Sequence, residues 1–360
     1  TRSRPAIEDT DYYTSPQVHP AFGALLAIQL HRMWEIIGKP PRFHAIEIGS
    51  GDGRLATDVT SYLQHVSSDF MNALNYITID RGRSSASTER ILCDSVPLKN
   101  ITGCILSNEL LDAMPVHRFE IRNGSISELY IILKDGNFAE YLGEPSSTKL
   151  ISELDSQGIR LYENQRGEIN LRLRSWVDEV STALKQGFVL TIDYGYGSMP
   201  ISNSPKTKST IQTYHRHTTD TNPYTNIGLR DISAEVNFSH LATVGTNVGL
   251  NYIGISTQSE YLNGLGISHW IHRLRYMGLT RVKHESNMMA MRDLIRMDRL
   301  GSFKVLLQEK GTGTRSMSGL VPHKITADKL PVPILDANHL DLMRSSYPHR
   351  AWDFGDSWMP

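Results

Sequence analysis

Residues 43–58 constrain what this chain can fold into more than any other stretch. An apolar run from Phe43 to Ile48, interrupted by Glu47, precedes glycines at alternate positions, and a helix-like run begins at Arg54. The glycines are Gly49, Gly51 and Gly53. This order predicts a buried strand, a tight turn and a helix. Because glycine lets the backbone approach a ligand closely and a helix N-terminus favours negative charge, the stretch predicts a ligand-binding turn in an α/β fold.

The glycine spacing bears on two common nucleotide-binding motifs. A P-loop requires Gly-Lys-Ser/Thr after the turn, and no such triplet follows. A dinucleotide fingerprint, Gly-x-Gly-x-x-Gly, counted from Gly49 has Arg54 in place of its third glycine, which argues against it. Counted from Gly51, the same position is Ala56, which the looser fingerprint allows. A nicotinamide-dependent oxidoreductase therefore stays open as an alternative.

Composition limits the class of protein. The 360 residues are 39% hydrophobic and 21% charged, which is typical of a folded domain or two. The net charge of -1 does not indicate nucleic acid or an anionic membrane as partner. Two cysteines, Cys93 and Cys104, make neither a disulfide framework nor a metal cluster, which favours a reducing compartment. Without a bilayer-spanning run or a signal peptide, we expect a cytoplasmic protein, or a mitochondrial matrix protein if eukaryotic.

Two more apolar runs end in polar residues, as the first does. Residues 74–80 read as a second buried strand that ends in Asp80. Residues 103–107 read as another strand, which leads into Asn108 and Glu109. Open α/β sheets bind ligands at the carboxyl ends of their strands, so these side chains are candidate site residues. An acid at the end of the second strand suits ribose hydroxyls, although turn aspartates are common there.

The segment from Asn108 to His117 concentrates polar groups among leucine, methionine and valine. It contains Glu109 and Asp112 as well, and buried polar groups need partners or a ligand. One interpretation is a site for catalysis and acceptor binding. The other is a capped helix with Ser107 or Asn108 as N-cap and Glu109 in its first turn, and both can hold together. His117 alone is more often a hydrogen-bonded structural residue than a base.

Further patterns predict the elements around this sheet. The spacing of apolar residues predicts helices over 21–38, 54–66, 168–185 and 268–300, and one that begins at Phe238. Asn-Gly at 123–124 predicts a hairpin of strands 118–122 and 129–133, and later strands are predicted at 188–193 and 303–308. Residues 9–20 are predicted to be a loop or arm rather than a helix, either lining a cleft or lying on the surface. We expect no metal site, because Arg216 separates His215 from His217.

Five stretches, in order, make the chain resemble the MidA-like family of S-adenosylmethionine (SAM)-dependent methyltransferases. The glycine turn with Glu47 resembles motif I of class I methyltransferases, and the string that begins at Asn108 is the most specific. The stretches are Tyr-Tyr-Thr-Ser-Pro at 12–16, Glu-Ile-Gly-Ser-Gly-Asp-Gly at 47–53, Ser-Asn-Glu-Leu-Leu-Asp-Ala-Met-Pro-Val-His at 107–117, Thr-Ile-Asp-Tyr-Gly-Tyr at 191–196 and Arg-Asp-Ile-Ser-Ala-Glu-Val-Asn-Phe at 230–238. The resemblance covers roughly residues 11–310.

The resemblance implies a doubly wound, mostly parallel, Rossmann-like α/β sheet with an added helical and hairpin cap. We expect an N-terminal arm and helix at 1–40 and a C-terminal tail at 312–360. The SAM-binding core is expected at 41–118, 186–198 and 301–311, and the cap and substrate region at 119–185 and 199–300. SAM would contact Glu47 through its ammonium group, Asp80 through its ribose and Asp94 through its adenine. Further cofactor contacts are expected from Thr14, Ser15, Gly49, Gly51, Gly53 and Asn108.

The resemblance also implies a methyl acceptor. Mitochondrial members act in complex I assembly as protein arginine methyltransferases, whereas related domains methylate hydroxyl groups of polyketide intermediates. The catalytic candidates are Glu109, expected to be ionised and to pair with a guanidinium, Asp112, and His117, which would suit a hydroxyl. The candidates on the acceptor side are Tyr13, Tyr194, Arg216 and His217. A non-catalytic assembly factor and a homodimer stay open.

Overall fold

The computed structural model describes residues 13–82, 89–157, 162–197, 210–215, 218–220, 222–225, 227–320, 326–340 and 342. Its helices are α1 Ser15–Val18, α2 Ala21–Ile36, α3 Arg54–Val66, α4 Ser68–Ala73, α5 Thr148–Ser156, α6 Leu173–Ala183, α7 Phe238–Asn247, α8 Gln258–Leu265, α9 Ile267–Arg273 and α10 Arg281–Asp293. Its strands are β1 Phe43–Ile48, β2 Leu74–Asp80, β3 Glu89–Leu92, β4 Ile101–Asn108, β5 His117–Arg122, β6 Ser125–Lys134, β7 Asn137–Gly143, β8 Arg166–Ile169, β9 Leu184–Asp193, β10 Gly195–Tyr196, β11 Ile211–His215, β12 Thr218–Asp220, β13 Asp231–Ala234, β14 Val236–Asn237, β15 Asn251–Thr257 and β16 Lys304–Lys310.

The central sheet has seven strands in the order β15-β16-β9-β4-β1-β2-β3. The five strands from β9 to β3 are parallel, and β16 runs antiparallel between β9 and β15. Side chains alternate between the two faces of a strand, so β1 contributes to two cores. Phe43 and Ala45 pack with α2, α3 and α8 on one face, and Ile46 and Ile48 pack with α6 and α7 on the other. This is the predicted doubly wound α/β sheet, with helices on both faces.

The middle of the sheet depends on two glycines in neighbouring strands. A Cβ atom at Gly103 would lie 2.0 Å from the carbonyl oxygen of His44, and one at Gly187 would lie 1.8 Å from that of Gly103. Because no other residue lacks a Cβ atom, only glycine lets β1, β4 and β9 approach this closely.

A four-stranded antiparallel sheet, in the order β7-β6-β5-β8, forms a separate cap with α5. Leu150 and Leu154 of α5 pack on Phe119, Ile121 and Ile169 of this sheet. The predicted hairpin at Asn-Gly is confirmed, with β5 and β6 in antiparallel register. A second hairpin, β6 to β7, was not predicted, although its Asp-Gly turn at 135–136 is also a hairpin signal.

The structure corrects several predicted elements. The helix expected over 168–185 begins only at Leu173, because 166–169 pairs with β5 as β8. The helix expected over 268–300 is broken, since Gly278 has a φ of 65° and Thr280 caps a new helix. The single turn α1 lies in the segment predicted to be a loop, and Pro16 fits its first turn. Strand β15 joins the central sheet, although 199–300 was assigned to the cap.

The described part of the C-terminal segment packs on the core. Met317, Ala327, Val332 and Leu340 are buried with the helices of one face. The backbone N–H of Leu340 donates to the carbonyl oxygen of Gln17 at 2.8 Å, which joins this segment to α1. In the described ranges, no helix is both long enough and apolar enough to cross a membrane. Among the same residues, no group of three or more His, Cys, Asp or Glu side chains is arranged to hold a metal ion.

Candidate active site

Predicted site residues from four strand ends come together at one edge of the central sheet. In the parallel ladders, Ile48 lies beside Ile79 and Ser107, and Asn108 lies beside Ile192. The carboxyl ends of β1, β2, β4 and β9 therefore meet at the glycine turn. This is the edge at which open α/β sheets bind ligands.

The glycine turn combines a closely packed side with an open one. Gly49, Gly51 and Gly53 all have positive φ angles, and the N–H of Gly49 donates to the carbonyl oxygen of Ile79 at 2.8 Å. A Cβ atom at Gly49 would lie 2.7 Å from Leu110 Cδ1, whereas one at Gly51 would meet no atom within 4 Å. The space beside Gly51 is therefore open, and the predicted approach of a ligand to the backbone there stays a prediction.

Asp80 holds the glycine turn in place. Its carboxylate accepts the N–H groups of Gly51 at 2.7 Å and Gly82 at 2.8 Å and pairs with Arg90 at 3.5 Å. Arg90 in turn donates to the carbonyl oxygens of Gly51 and Gly82. A carboxylate offers about four lone pairs, so Asp80 keeps acceptor capacity for ribose hydroxyls. Arg90 was not identified from the sequence, because no motif links it to a turn 39 positions away.

The other cofactor candidates lie around this turn. Asp94 is exposed and follows β3, and the N–H of the preceding Cys93 donates to the Asp80 carbonyl oxygen at 3.0 Å. Glu47 is 3% exposed and accepts a hydrogen bond of 2.8 Å from the Tyr76 hydroxyl. Burial raises the pKa of Glu47 to about 8. A bound ammonium group would favour the ionised form of this carboxyl and lower its pKa.

Glu109 directly follows β4 in a strained backbone conformation. It has a φ of 53°, a left-handed value that is uncommon for a residue with a side chain, and such strain clusters at functional sites. Its Oε1 accepts hydrogen bonds from the Ser15 N–H at 3.2 Å and from Asn108 Nδ2 at 2.9 Å. No helix begins here, so the helix-cap interpretation is wrong. Ser15 also donates from its hydroxyl to Gln258 at 3.1 Å, which holds the N-terminal arm against the site.

The carboxyls of this loop are electrostatically coupled. Burial, with a further effect of Asp112, raises the pKa of Glu109 to about 8. Burial also raises the pKa of Asp112 to about 6, with Asp231 adding to the effect. A pKa of about 8 favours the protonated form of Glu109 in the free protein at neutral pH, whereas the sequence analysis expects the ionised form, which stays a prediction for the complex with a cation. A cation beside Glu109 would restore the ionised form.

The remaining arm and loop candidates have partners of their own. The Thr14 carbonyl oxygen accepts the Gln17 N–H at 2.9 Å, and the Thr14 N–H donates to Gln17 Oε1 at 3.0 Å. Both hydrogen bonds stabilise the single turn α1. The Tyr13 hydroxyl donates to Asp293 at 2.7 Å, at the end of α10. The Tyr194 hydroxyl lies 3.1 Å from Ser233 Oγ, next to the loop that follows Glu109. The roles assigned to these three residues stay predictions.

His117 is the first residue of β5 in the cap sheet. Its Nδ1 forms a 2.7 Å hydrogen bond with Glu128, a residue of β6. The structure thus gives His117 a structural partner, and its catalytic role stays a prediction. Arg216 and His217 lie outside the residues that the structure describes.

Asp193 is a second residue that sequence reasoning left unassigned. It is fully buried at the end of β9, and its carboxyl accepts backbone N–H groups of the loop that follows Glu109. The only sequence signal was its place at the start of Asp-Tyr-Gly-Tyr, directly after a buried strand.

Fold and site together define a Rossmann-like methyltransferase of class I, with a glycine turn and acids at the strand ends. A family model described as "Putative S-adenosyl-L-methionine-dependent methyltransferase" matches residues 25–256. The chain belongs to this family. This confirms the MidA-like resemblance and SAM as cofactor, and it decides against the nicotinamide-dependent oxidoreductase.

Curated relatives share low identity with the chain. The mitochondrial "Protein arginine methyltransferase NDUFAF7 homolog" of Caenorhabditis elegans is 26% identical over 306 residues, which cover 76% of this chain and 70% of the relative. The human protein arginine methyltransferase NDUFAF7 is 21% identical, with 88% and 75% covered. The Drosophila melanogaster homolog is 23% identical, with 66% of this chain covered and only 61% of that protein.

A solved structure has the same fold. The crystal structure of a Burkholderia thailandensis protein bound to S-adenosyl-homocysteine superimposes with a TM-score of 0.73. It is 22% identical, and the match covers 86% of this chain and 81% of that chain. The same fold therefore extends over most of both chains.

Asp80→Asn is expected to weaken S-adenosylhomocysteine binding by about 10–100-fold, because a hydrogen bond to a charged group is worth roughly 1.5–3 kcal/mol. The change removes the carboxylate that the ribose and the N–H groups of Gly51 and Gly82 would share. Isothermal calorimetry measures the affinity. The control is Asp298→Asn, an exposed residue paired with Arg296, which should leave affinity unchanged. Equal affinities for both folded variants would refute the assignment of Asp80.

Proposed function

We propose that this chain transfers a methyl group from SAM to the guanidinium group of a protein arginine. The observation that carries the proposal is the pair of partly buried carboxyls, Glu109 and Asp112, beside the glycine turn. Two acids with raised pKa values at one strand end favour a cationic acceptor, because a cation compensates the unfavourable burial of their charges. The names of the curated relatives, protein arginine methyltransferases, support the same acceptor.

SAM, when bound, supplies a methyl group that its sulfonium has already activated. The protein then has to align the acceptor nitrogen with that group and exclude water. A carboxylate holds a guanidinium by opposite charge and by a charge-assisted hydrogen bond, which orients the acceptor. In the described part of the chain, both donors to Glu109 bind Oε1. Oε2 is therefore available to the acceptor.

Methylation of a guanidinium nitrogen also requires the loss of one proton from that nitrogen. A group with a pKa near the working pH accepts a proton most effectively. Glu109, with a pKa of about 8 in the free protein, is suited to release its proton when the cation binds and to take one up afterwards. Asp112, with a pKa of about 6, would stay ionised beside it near neutral pH.

The other acceptors have less support. Methylation of a hydroxyl would use His117 as base, and this residue is hydrogen-bonded to Glu128 in the cap sheet. A non-catalytic assembly factor would have no need of the strained backbone at Glu109. We propose the mitochondrial matrix as the location, because the curated relatives are mitochondrial proteins. No finding supports the cytoplasm.

The test is transfer of label from methyl-tritiated SAM to mitochondrial extract and to a pair of peptides that differ only by Arg or Lys. We expect label in the protein fraction and in the arginine peptide, with methylarginine identified by mass spectrometry. Label that appears only in small molecules, or in lysine and arginine peptides alike, would contradict an arginine acceptor. Binding of SAM without any transfer would favour the non-catalytic alternative.

A further inference from the structure

We infer that Asp193 is a positioning residue, whose carboxylate holds the loop after β4 and thereby sets the place of Glu109. The inference rests on the proposed function in its turnover test, whereas its hydrogen-exchange test does not depend on that function. Asp193 is the last residue of β9 and has no exposed surface. Its carboxyl contacts backbone N–H groups of the described residues.

The contacts of Asp193 form a complete set around its two oxygens. Oδ2 accepts three successive backbone N–H groups, from Leu110 at 3.1 Å, Leu111 at 2.8 Å and Asp112 at 3.3 Å. Oδ1 accepts the N–H of Tyr194 at 2.9 Å. Successive N–H groups that point to one centre form an anion-binding concavity. Here the protein itself supplies the acceptor. Burial, with Asp112 adding to the effect, raises the pKa of the Asp193 carboxyl, whereas the backbone N–H groups that it accepts lower the pKa and favour the ionised form.

Two further backbone hydrogen bonds hold the same loop, one on either side of this concavity. The N–H of Glu109 donates to the carbonyl oxygen of Ile192 at 2.9 Å. The N–H of Ala234 donates to the carbonyl oxygen of Asp112 at 3.0 Å. Residues 109–112 thus have all four N–H groups bound by two consecutive residues of β9. This arrangement maintains the left-handed φ of Glu109, a conformation that persists only when its surroundings determine it.

An amide side chain cannot reproduce these contacts. Asparagine has the shape of aspartate, but one of its two terminal groups is a donor. Whichever way the substituted side chain points, its NH₂ group would face either the Tyr194 N–H or the three loop N–H groups. The loop would therefore shift, and a displacement of about 1 Å costs roughly 10²-fold in rate when reacting groups must be aligned.

The chain contains a matched control, Glu309. This residue is 3% exposed on β16, and it also accepts four hydrogen bonds from its surroundings. They come from the Thr312 N–H and hydroxyl, the Gly313 N–H and Asn251 Nδ2. Glu309 pairs in register with Phe188, five residues before Asp193, so it lies about 16 Å from the site.

The experiment compares Asp193→Asn with Glu309→Gln. We expect both to lower the melting temperature by similar amounts, because each removes part of a buried hydrogen-bond set. Only Asp193→Asn should lower kcat, by about 10²-fold, with the acceptor KM and the S-adenosylhomocysteine Kd within about threefold of wild type. A similar fall of kcat in both variants, or none in either, would overturn the inference.

Hydrogen exchange of the wild-type protein gives a second test that needs neither a variant nor an acceptor. The amides of Leu110, Leu111 and Asp112 should exchange within about tenfold of the rate of the β9 amides, although they lie in a loop. Exchange as fast as that of exposed turn amides would overturn the inference, even if arginine is methylated. Slow exchange without methyl transfer would support the positioning and refute the proposed function alone.

Discussion

Glu109→Gln is expected to lower the turnover number for methyl transfer by about 10²–10⁴-fold, the scale of positioned acid–base groups. Glutamine keeps the shape and can still accept from the Ser15 N–H and from Asn108, so the arm should stay in place. The amide has no negative charge to pair with a guanidinium and cannot take up its proton. Because burial keeps Glu109 largely protonated in the free protein, a neutral substitute should cost little stability near pH 7.

The measurement is single-turnover transfer at saturating SAM, with S-adenosylhomocysteine affinity and melting temperature as checks on the fold. His117→Asn is the matched control, because it removes a titratable group of the same motif that pairs with Glu128 in the cap. We expect it to retain turnover within about threefold. Near-equal rates for Glu109→Gln and wild type would show that Glu109 is structural. A larger loss at His117 would indicate a hydroxyl acceptor.

The free energy of unfolding is expected to fall as the pH rises from about 6.5 to about 8. In the unfolded chain a glutamate titrates near pH 4.3, whereas burial raises the pKa of Glu47 to about 8 in the fold. Between these values the folded state holds more protons than the unfolded state, so stability decreases with pH. The slope from Glu47 is at most about 1.4 kcal/mol per pH unit. Glu109, whose pKa burial also raises to about 8, adds a contribution of the same sign.

The pH range over which stability is expected to fall begins at about 6.5 because of a buried histidine. Burial lowers the pKa of His19 to about 3, so its protonation favours the unfolded state at acid pH and offsets the effect of Glu47 there. Urea unfolding at several pH values, monitored by tryptophan fluorescence, measures the dependence. Glu47→Gln should flatten the slope, and Asp298→Asn, an exposed acid, should leave it unchanged. A stability that rises between pH 6.5 and 8 would refute the buried, protonated state of Glu47.

Local chemistry determined the parts of the fold that sequence reasoning predicted correctly. The strand, glycine turn and helix at 43–66 follow from a short apolar run and from positive φ angles that favour glycine. The first cap hairpin follows from Asn-Gly in the same way. These signals lie within a few residues of the structure that they produce. The family resemblance also predicted the cofactor, because each motif that carries the resemblance is a short continuous stretch of sequence.

Patterns that depended on distant partners were misread. Ile169 fits the helical apolar spacing of 168–185, but it is buried in the cap, and 166–169 pairs with β5. Strand β15 was missed because Gly254 interrupts its pattern, while its hydrogen bonds to β16 compensate. In both cases tertiary pairing outweighed local preference.

The sequence by itself determined which residues could form a site, through the acids and amide at the ends of β2 and β4. Only the tertiary structure decided how they act. Ser15 donates a hydrogen bond to Glu109 across 94 positions of sequence. Asp193 accepts hydrogen bonds from the loop that follows Glu109, more than 80 positions away. The raised pKa values of Glu47 and Glu109 come from burial, which many separate segments produce together. Chain contacts of this range, and the loss of water around a carboxyl, leave no periodic or local trace in the sequence, because they arise from packing alone.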